Sequence, residues 1–226
     1  MRTVTKSFLR YLPRRRSLSL LQLMGIACGV AAAVGMTLSA RAALSSFARA
    51  VEFLRGQATH SIARPAGPMD EQVLTQLMRD PAVTFFSPVI DRQLRLGEGE
   101  LVRLLGVDPF LDQSIRPEIT RFQITQERRT SEHRLSFLFD ARAALVDARL
   151  ADRLGVSTGD DVVTSRGVLR VVGTFSNPSG EPLVVMDIAH VQELFGLRGQ
   201  IDRVDLILRD ISDFRSRWEE GFHIQS

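Results

Sequence analysis

The first side chains to test for chemistry in this 226-residue chain are its four histidines, its single cysteine, its single lysine and its 26 acids. His60, His133, His190 and His223 are scattered and show no His-Glu-x-x-His spacing, which a zinc-dependent hydrolase needs to bring two imidazoles onto one helix face. No Gly-x-Ser-x-Gly elbow exposes a nucleophile. A lone Cys28 excludes a disulfide framework and any zinc site built from paired thiolates. Lys6 is the only lysine and lies in no Gly-x-x-x-x-Gly-Lys-Ser/Thr loop, so this chain is not itself a P-loop ATPase. Asp160-Asp161 and Asp202 with Asp205 are acidic pairs able in principle to hold calcium, but neither has the oxygen spacing of an EF-hand. They are read instead as a turn beside a strand start and as solvent-facing strand positions. Gly155 to Gly159-Asp160 reads as a helix stop and a tight turn. The chain is therefore read as non-enzymatic, with no catalytic, metal or cofactor-binding residue.

Charge is distributed asymmetrically. Residues 1–16 carry +6 and no acid, whereas residues 56–226 hold 20 arginines against 25 acids. The basic character belongs to the N-terminus, and a mildly acidic body is a poor partner for nucleic acid.

Leu18 to Ala40 contains no charge. As a helix these 23 residues extend about 34 Å, enough for the ~30 Å hydrocarbon core. Arg14, Arg15 and Arg16 precede it and set the topology, with the N-terminus cytoplasmic and the body outside. The competing signal readings each fit less well. The stretch is too long for a cleaved signal, despite Ala40-Arg41-Ala42. The twin-arginine match at Arg15-Arg16-Ser17-Leu18 is short. Gly25 stands where a lipoprotein signal ending at Cys28 needs a bulky aliphatic. Gly25, Gly29 and Ala33 put small residues on one helix face, where a second helix can approach closely in lipid. Gly and Ala are also simply common in such helices. From residue 41 to 56 the helical period continues as a stalk, with Leu44, Phe47, Ala48, Val51 and Leu54 forming one apolar stripe and Gly56 as its stop. A short helix lying on the lipid is the alternative.

Beyond Gly56 the apolar period alternates between two and 3.6, which predicts a mixed α+β body. Strands are expected at 59–64, 83–90, 92–96, 101–107, 119–125, 137–139, 144–146, 162–164, 167–175, 183–186 and 201–208. Helices are expected after Asp70, with Val73, Leu74, Leu77 and Met78 inward, at 147–154 and at 187–195. Residues 92–107 should form a hairpin around Gly97-Glu98-Gly99. A helix between strands occurs near 59–107 and again near 183–208, and the β-rich middle, 110–175, reads as an insertion. No strict internal repeat is visible.

Along the chain stand Leu-Met-Gly-Ile-Ala-Cys-Gly-Val-Ala-Ala-Ala-Val at 23–34, Gly-Val-Asp-Pro at 106–109, and Leu-Ala-Asp-Arg-Leu-Gly-Val-Ser-Thr-Gly-Asp at 150–160. They are followed by Leu-Arg-Val-Val-Gly-Thr-Phe at 169–175, Met186-Asp187, and Gly-Gln-Ile-Asp-Arg-Val-Asp-Leu at 199–206. This order of parts resembles the FtsX/MacB-type permeases of ABC transporters, specifically their first membrane helix and MacB-like periplasmic core domain. The resemblance implies a two-lobed extracytoplasmic domain, with a membrane-proximal lobe at about 57–109 and 176–212 and an inserted lobe at about 110–175. It also implies a cell inner-membrane location, a separate P-loop ATPase subunit, and contact with other permease helices or a second permease copy. In such systems ATP hydrolysis drives movement that the domain couples to lipoprotein, lipid or peptide export or release. Family members continue with further membrane helices, and 213–226 resembles the approach to the next one, so the chain is expected to be C-terminally truncated. A membrane-tethered binding module without an ATPase is the alternative.

Overall fold

The computed structural model describes residues 16–97, 99–117, 119, 137, 140–177 and 180–225, the side chains of 16–19 and 46–54 apart. The chain divides into two compact units, 1–48 and 49–226.

Helix α1 runs unbroken over Arg16–Arg55. Within it Leu20–Ser45 forms 26 residues of mean hydropathy 1.8, none of them buried, long and apolar enough to cross a membrane. Two of its three hydroxyls bond back to the helix itself: Thr37 donates to the Val34 carbonyl at 2.8 Å and Ser45 to that of Ala42 at 2.9 Å. That leaves little polar surface on the apolar segment.

The second unit is built on β1 (His60–Ala63), β2 (Met69–Asp70), α2 (Val73–Met78), β3 (Val83–Leu96), β4 (Glu100–Val107), β5 (Ala143–Asp147), α3 (Ala148–Leu154), β6 (Asp161–Thr164), β7 (Gly167–Phe175), β8 (Leu183–Asp187), α4 (Ile188–Phe195), β9 (Gln200–Ile201), β10 (Arg203–Leu208), α5 (Ile211–Trp218) and β11 (His223–Gln225). Among the described residues the main sheet has the order β11-β1-β10-β3-β4-β8-β5-β7-β6, and β2 pairs with β9 apart from it.

Strand β3 organises this sheet. Residues 83–90 and 92–96 were expected as two strands but form one of 14 residues. Its first half pairs with β10, its second with β4, and Leu96 meets Thr164 of β6. Strands β3, β4, β8, β5, β7 and β6 thus form a closed circuit of hydrogen-bonded neighbours. No break falls at Asp91 because its carboxylate and N–H are both engaged across the sheet. Pro88 is tolerated where β10 flanks β3 on one side and the ladder to β4 has not begun. The strands at 143–175 join this same sheet, between β8 and the far end of β3.

The central strands read as continuous apolar runs because both of their faces are covered. Val102, Leu104, Val184 and Met186 face one cluster, with Val73 and Leu77 of α2, Leu150 of α3, Val191 of α4 and Phe214 of α5. Leu105, Val107, Leu183 and Val185 face another, with Ile119 and Phe137. Gly106 admits the close packing of α4: a Cβ there would lie 3.0 Å from the Val191 side chain.

Two strand–helix units repeat a plan that the sequence does not make obvious. Asp147 ends β5 and Asp187 ends β8, each as the N-cap of the next helix, and Gly155 and Gly196 close those helices at φ 66° and 68°. In α2 Met78 is 71% exposed, not inward: a six-residue helix turns only Val73 and Leu77 fully to the core. Asp70 does not cap it directly but accepts from the Gln72 N–H at 2.8 Å. Residues 213–226 are expected as the approach to a further helix; of these, 213–218 lie in α5 and 223–225 form β11, an edge strand beside β1. The strand expected at 119–125 and that at 137–139 lie largely outside the described residues.

Candidate functional site

Strand period two places alternate residues on one face, so Ser87 and Asp91 of β3, Arg103 of β4, and Arg203 and Asp205 of β10 all share a side of the sheet. A short turn closes over them. Asp108 Oδ1 accepts from the N–H groups of Phe110 and Leu111 at 2.8 and 3.0 Å, which starts a 3-10 turn over Asp112–Ser114. The Ile115 and Arg116 N–H groups donate to the Asp112 carbonyl at 3.0 and 2.7 Å.

The Arg116 guanidinium is 1% exposed and lies between the carboxylates of Asp112 and Asp205. Ser87 Oγ donates to Asp112 Oδ1 at 2.7 Å. The chain of alternating charge continues outward. Arg203 donates to Asp205 at 3.0 Å and to Asp91 at 2.9 Å. Arg103 grips Asp91 in a bidentate pair, 2.9 and 2.6 Å, and reaches Glu181 at 3.6 Å. Beside it, Arg92 pairs with Asp202 at 2.6 Å.

Burial grades along this network. Desolvation pushes the Asp112 carboxyl up and the Arg116 guanidinium down, against the attraction between them. At Asp91 burial pushes up as well, but the Arg103 and Arg203 guanidiniums outweigh it and hold the carboxyl below the usual range.

The turn also touches the end of α1. Gln57 donates its N–H to the Ile115 carbonyl at 2.7 Å. Gly56 has φ 60°, and a Cβ there would fall 2.2 Å from the Ile115 oxygen and 2.8 Å from Arg116 Cγ. Only glycine fits both the backbone conformation and the approach. Arg55 donates to the carbonyls of Ala58 (2.9 Å) and Thr59. The arrangement joins elements; it does not assemble a reacting centre. No group of three or more metal-ligating side chains occurs among the described residues.

None of the helix-packing, stalk-stripe or topology-setting residues singled out in the sequence belongs to this network, whereas Asp205 of the acidic pair does. Gly25, Gly29 and Ala33 are exposed along α1, with no atom within 4 Å of a Cβ built at either glycine. Leu44 is exposed. The side chains of Phe47, Ala48, Val51, Leu54 and Arg16 lie outside the described ones, as do Arg14 and Arg15 altogether. Asp205, expected to face solvent, is 3% exposed, and Asp202 is paired with Arg92. The sequence held part of the signal, two charges, Arg203 and Asp205, two apart in an otherwise apolar strand; that this strand lies beside the one carrying Asp91 and Arg92 is a property of the fold. Asp161 does lie at a strand start, paired with Arg170 at 3.0 Å.

The profile of the MacB-like periplasmic core domain matches residues 19–215. An ABC transporter permease protein of Mycobacterium tuberculosis, itself uncharacterized, is 28% identical over 213 residues, which cover 89% of this chain and 24% of that protein. The present chain thus spans about a quarter of that relative. Two solved structures share the fold. The extracellular domain of the noncanonic ABC-type transporter YknZ from Gram-positive bacteria aligns at TM-score 0.53 and 13% identity, over 74% of this chain and 98% of that domain. The periplasmic region of MacB from Actinobacillus actinomycetemcomitans aligns at 0.51 and 14%, over 76% and 89%. The chain thus carries, among its described residues, one helix long and apolar enough to anchor it in a membrane. It belongs to the MacB-like periplasmic core domain family, found in ABC transporter permeases.

Proposed function

We propose that this chain supplies the first membrane helix and the extracytoplasmic domain of an ABC-type permease, and that it converts movement driven by a separate ATPase subunit into movement of that domain. The observation that carries the reading is the uninterrupted helix Arg16–Arg55, whose apolar half is long enough to span lipid and whose last turn enters a domain of this family. In this reading Arg14, Arg15 and Arg16 hold the N-terminus in the cytoplasm. Residues 41–56 are the transmitting stalk, with the stripe from Leu44 to Leu54 facing a neighbouring helix. Gly25, Gly29 and Ala33 give close contact with other permease helices or a second copy. Residues 57–109 with 176–212 form the lobe next to the membrane and 110–175 the inserted lobe. The cargo is a lipoprotein, lipid or peptide that is released or exported, and the chain acts without catalytic residues of its own.

Protease shaving of cells and of inverted membrane vesicles tests this. The body should be digested from the extracytoplasmic side and protected from the other. Digestion from the cytoplasmic side alone would reverse the topology. Affinity purification from membranes should recover a P-loop ATPase; an ATPase-free preparation that still binds extracytoplasmic ligand supports a tethered binding module instead.

A further inference from the structure

We propose that the turn 112–116 is a latch that holds the end of α1 on the sheet and opens as a unit while the rest of the domain stays folded. It takes from the preceding reading only that α1 is the element that moves.

Three observations carry it. The turn is attached chiefly by charge: Arg116 bridges its own Asp112 to Asp205 of β10, and Ser87 of β3 holds Asp112 from below. Ile115, its one fully buried apolar side chain, belongs to neither hydrophobic cluster, so detaching it leaves both clusters intact. The end of α1 then rests on this turn, through the Gln57 N–H to the Ile115 carbonyl and the close seat of Gly56.

Such an attachment differs from an apolar lid. Buried ions forfeit hydration, and they regain it when pulled into water, which offsets much of the attraction lost. An apolar lid regains nothing on exposure. A charged latch is therefore rigid when seated yet openable. The alternation Asp112, Arg116, Asp205, Arg203, Asp91, Arg103, Glu181 links its seat across β10, β3 and β4 to the loop before β8.

Amide hydrogen exchange on the full 226-residue chain in detergent tests the latch. In Arg116→Met the N–H groups of Gln57 and Arg116 should lose protection about a hundredfold, while the β5–β7 ladder keeps its own. Arg116→Lys should restore part of the loss. Equal loss across all strands would make Arg116 an ordinary core-stabilising residue and overturn the proposal; no loss at Gln57 would overturn it too. Should Arg116→Met not fold, Arg203→Met removes the next, more exposed link. It should cost Gln57 about tenfold with β5–β7 unchanged, and uniform or absent loss would again overturn the idea. No ATPase is present in this measurement, and topology is read separately by protease. A reversed orientation would leave the latch standing, and a missing latch would leave the orientation standing.

Discussion

Gly56→Ala is the sharpest perturbation that the fold permits, because Gly155→Ala is its built-in control. Both glycines are left-handed, at φ 60° and 66°. An L residue in that region costs about 1 kcal/mol. For Gly155 that is the whole expected loss, since nothing lies within 4 Å of the new methyl. For Gly56 the methyl would sit 2.2 Å from the Ile115 oxygen, so either the turn or the chain end must move. Moving them breaks the Gln57–Ile115 hydrogen bond, worth about 1 kcal/mol, and strains the packing by ~1–2 kcal/mol more. The expected totals are about 1 kcal/mol for Gly155→Ala and about 3–4 kcal/mol for Gly56→Ala. At ~2–4 °C per kcal/mol for a chain of this size, Tm should fall by about 3 °C and about 10 °C respectively. Thermal unfolding followed by circular dichroism in one detergent, with urea unfolding as a second probe, reads the difference. Equal losses for the two variants would refute the reasoning, because backbone conformation would then account for everything and the seat on Ile115 for nothing.

Other outcomes follow from the same geometry. Gly106→Ala should destabilise by about 1–3 kcal/mol, because Val191 must yield to the new methyl; a neutral value in urea unfolding would mean that α4 can shift freely. Asp91 is held below the usual carboxylate range, so its contribution to stability is complete above about pH 4 and is lost as pH falls through its lower folded value. The urea midpoint should drop in that acid window, and Asp91→Asn should flatten the drop while lowering the midpoint at pH 7. Gly25→Leu with Gly29→Leu should leave the unfolding of the body unchanged, since both positions are exposed on α1, yet reduce cysteine cross-linking between membrane helices; unchanged cross-linking would remove the small-residue face as a contact.

Local pattern fixed much of this molecule. An uncharged run of 23 residues is long and apolar enough for a helix that crosses lipid, a property that its length and lack of charge carry without the rest of the chain. The hairpin at Gly97, the helix stops at Gly155 and Gly196, and the apolar runs of β5 and β8 were equally legible, because each depends on neighbours a few residues away. Order of motifs was enough to indicate the family. Position within the sheet was not legible. One residue, Asp91, shows why: read locally it breaks a strand, and in the fold it is the hub where Arg103, twelve residues on, and Arg203, from another strand, meet. Asp205 and Arg116 are 89 residues apart in sequence and in contact in space. Whether a charge is solvated or buried depends on what the rest of the chain places over it, and that placement is a property of the closed sheet, not of any segment that composes it.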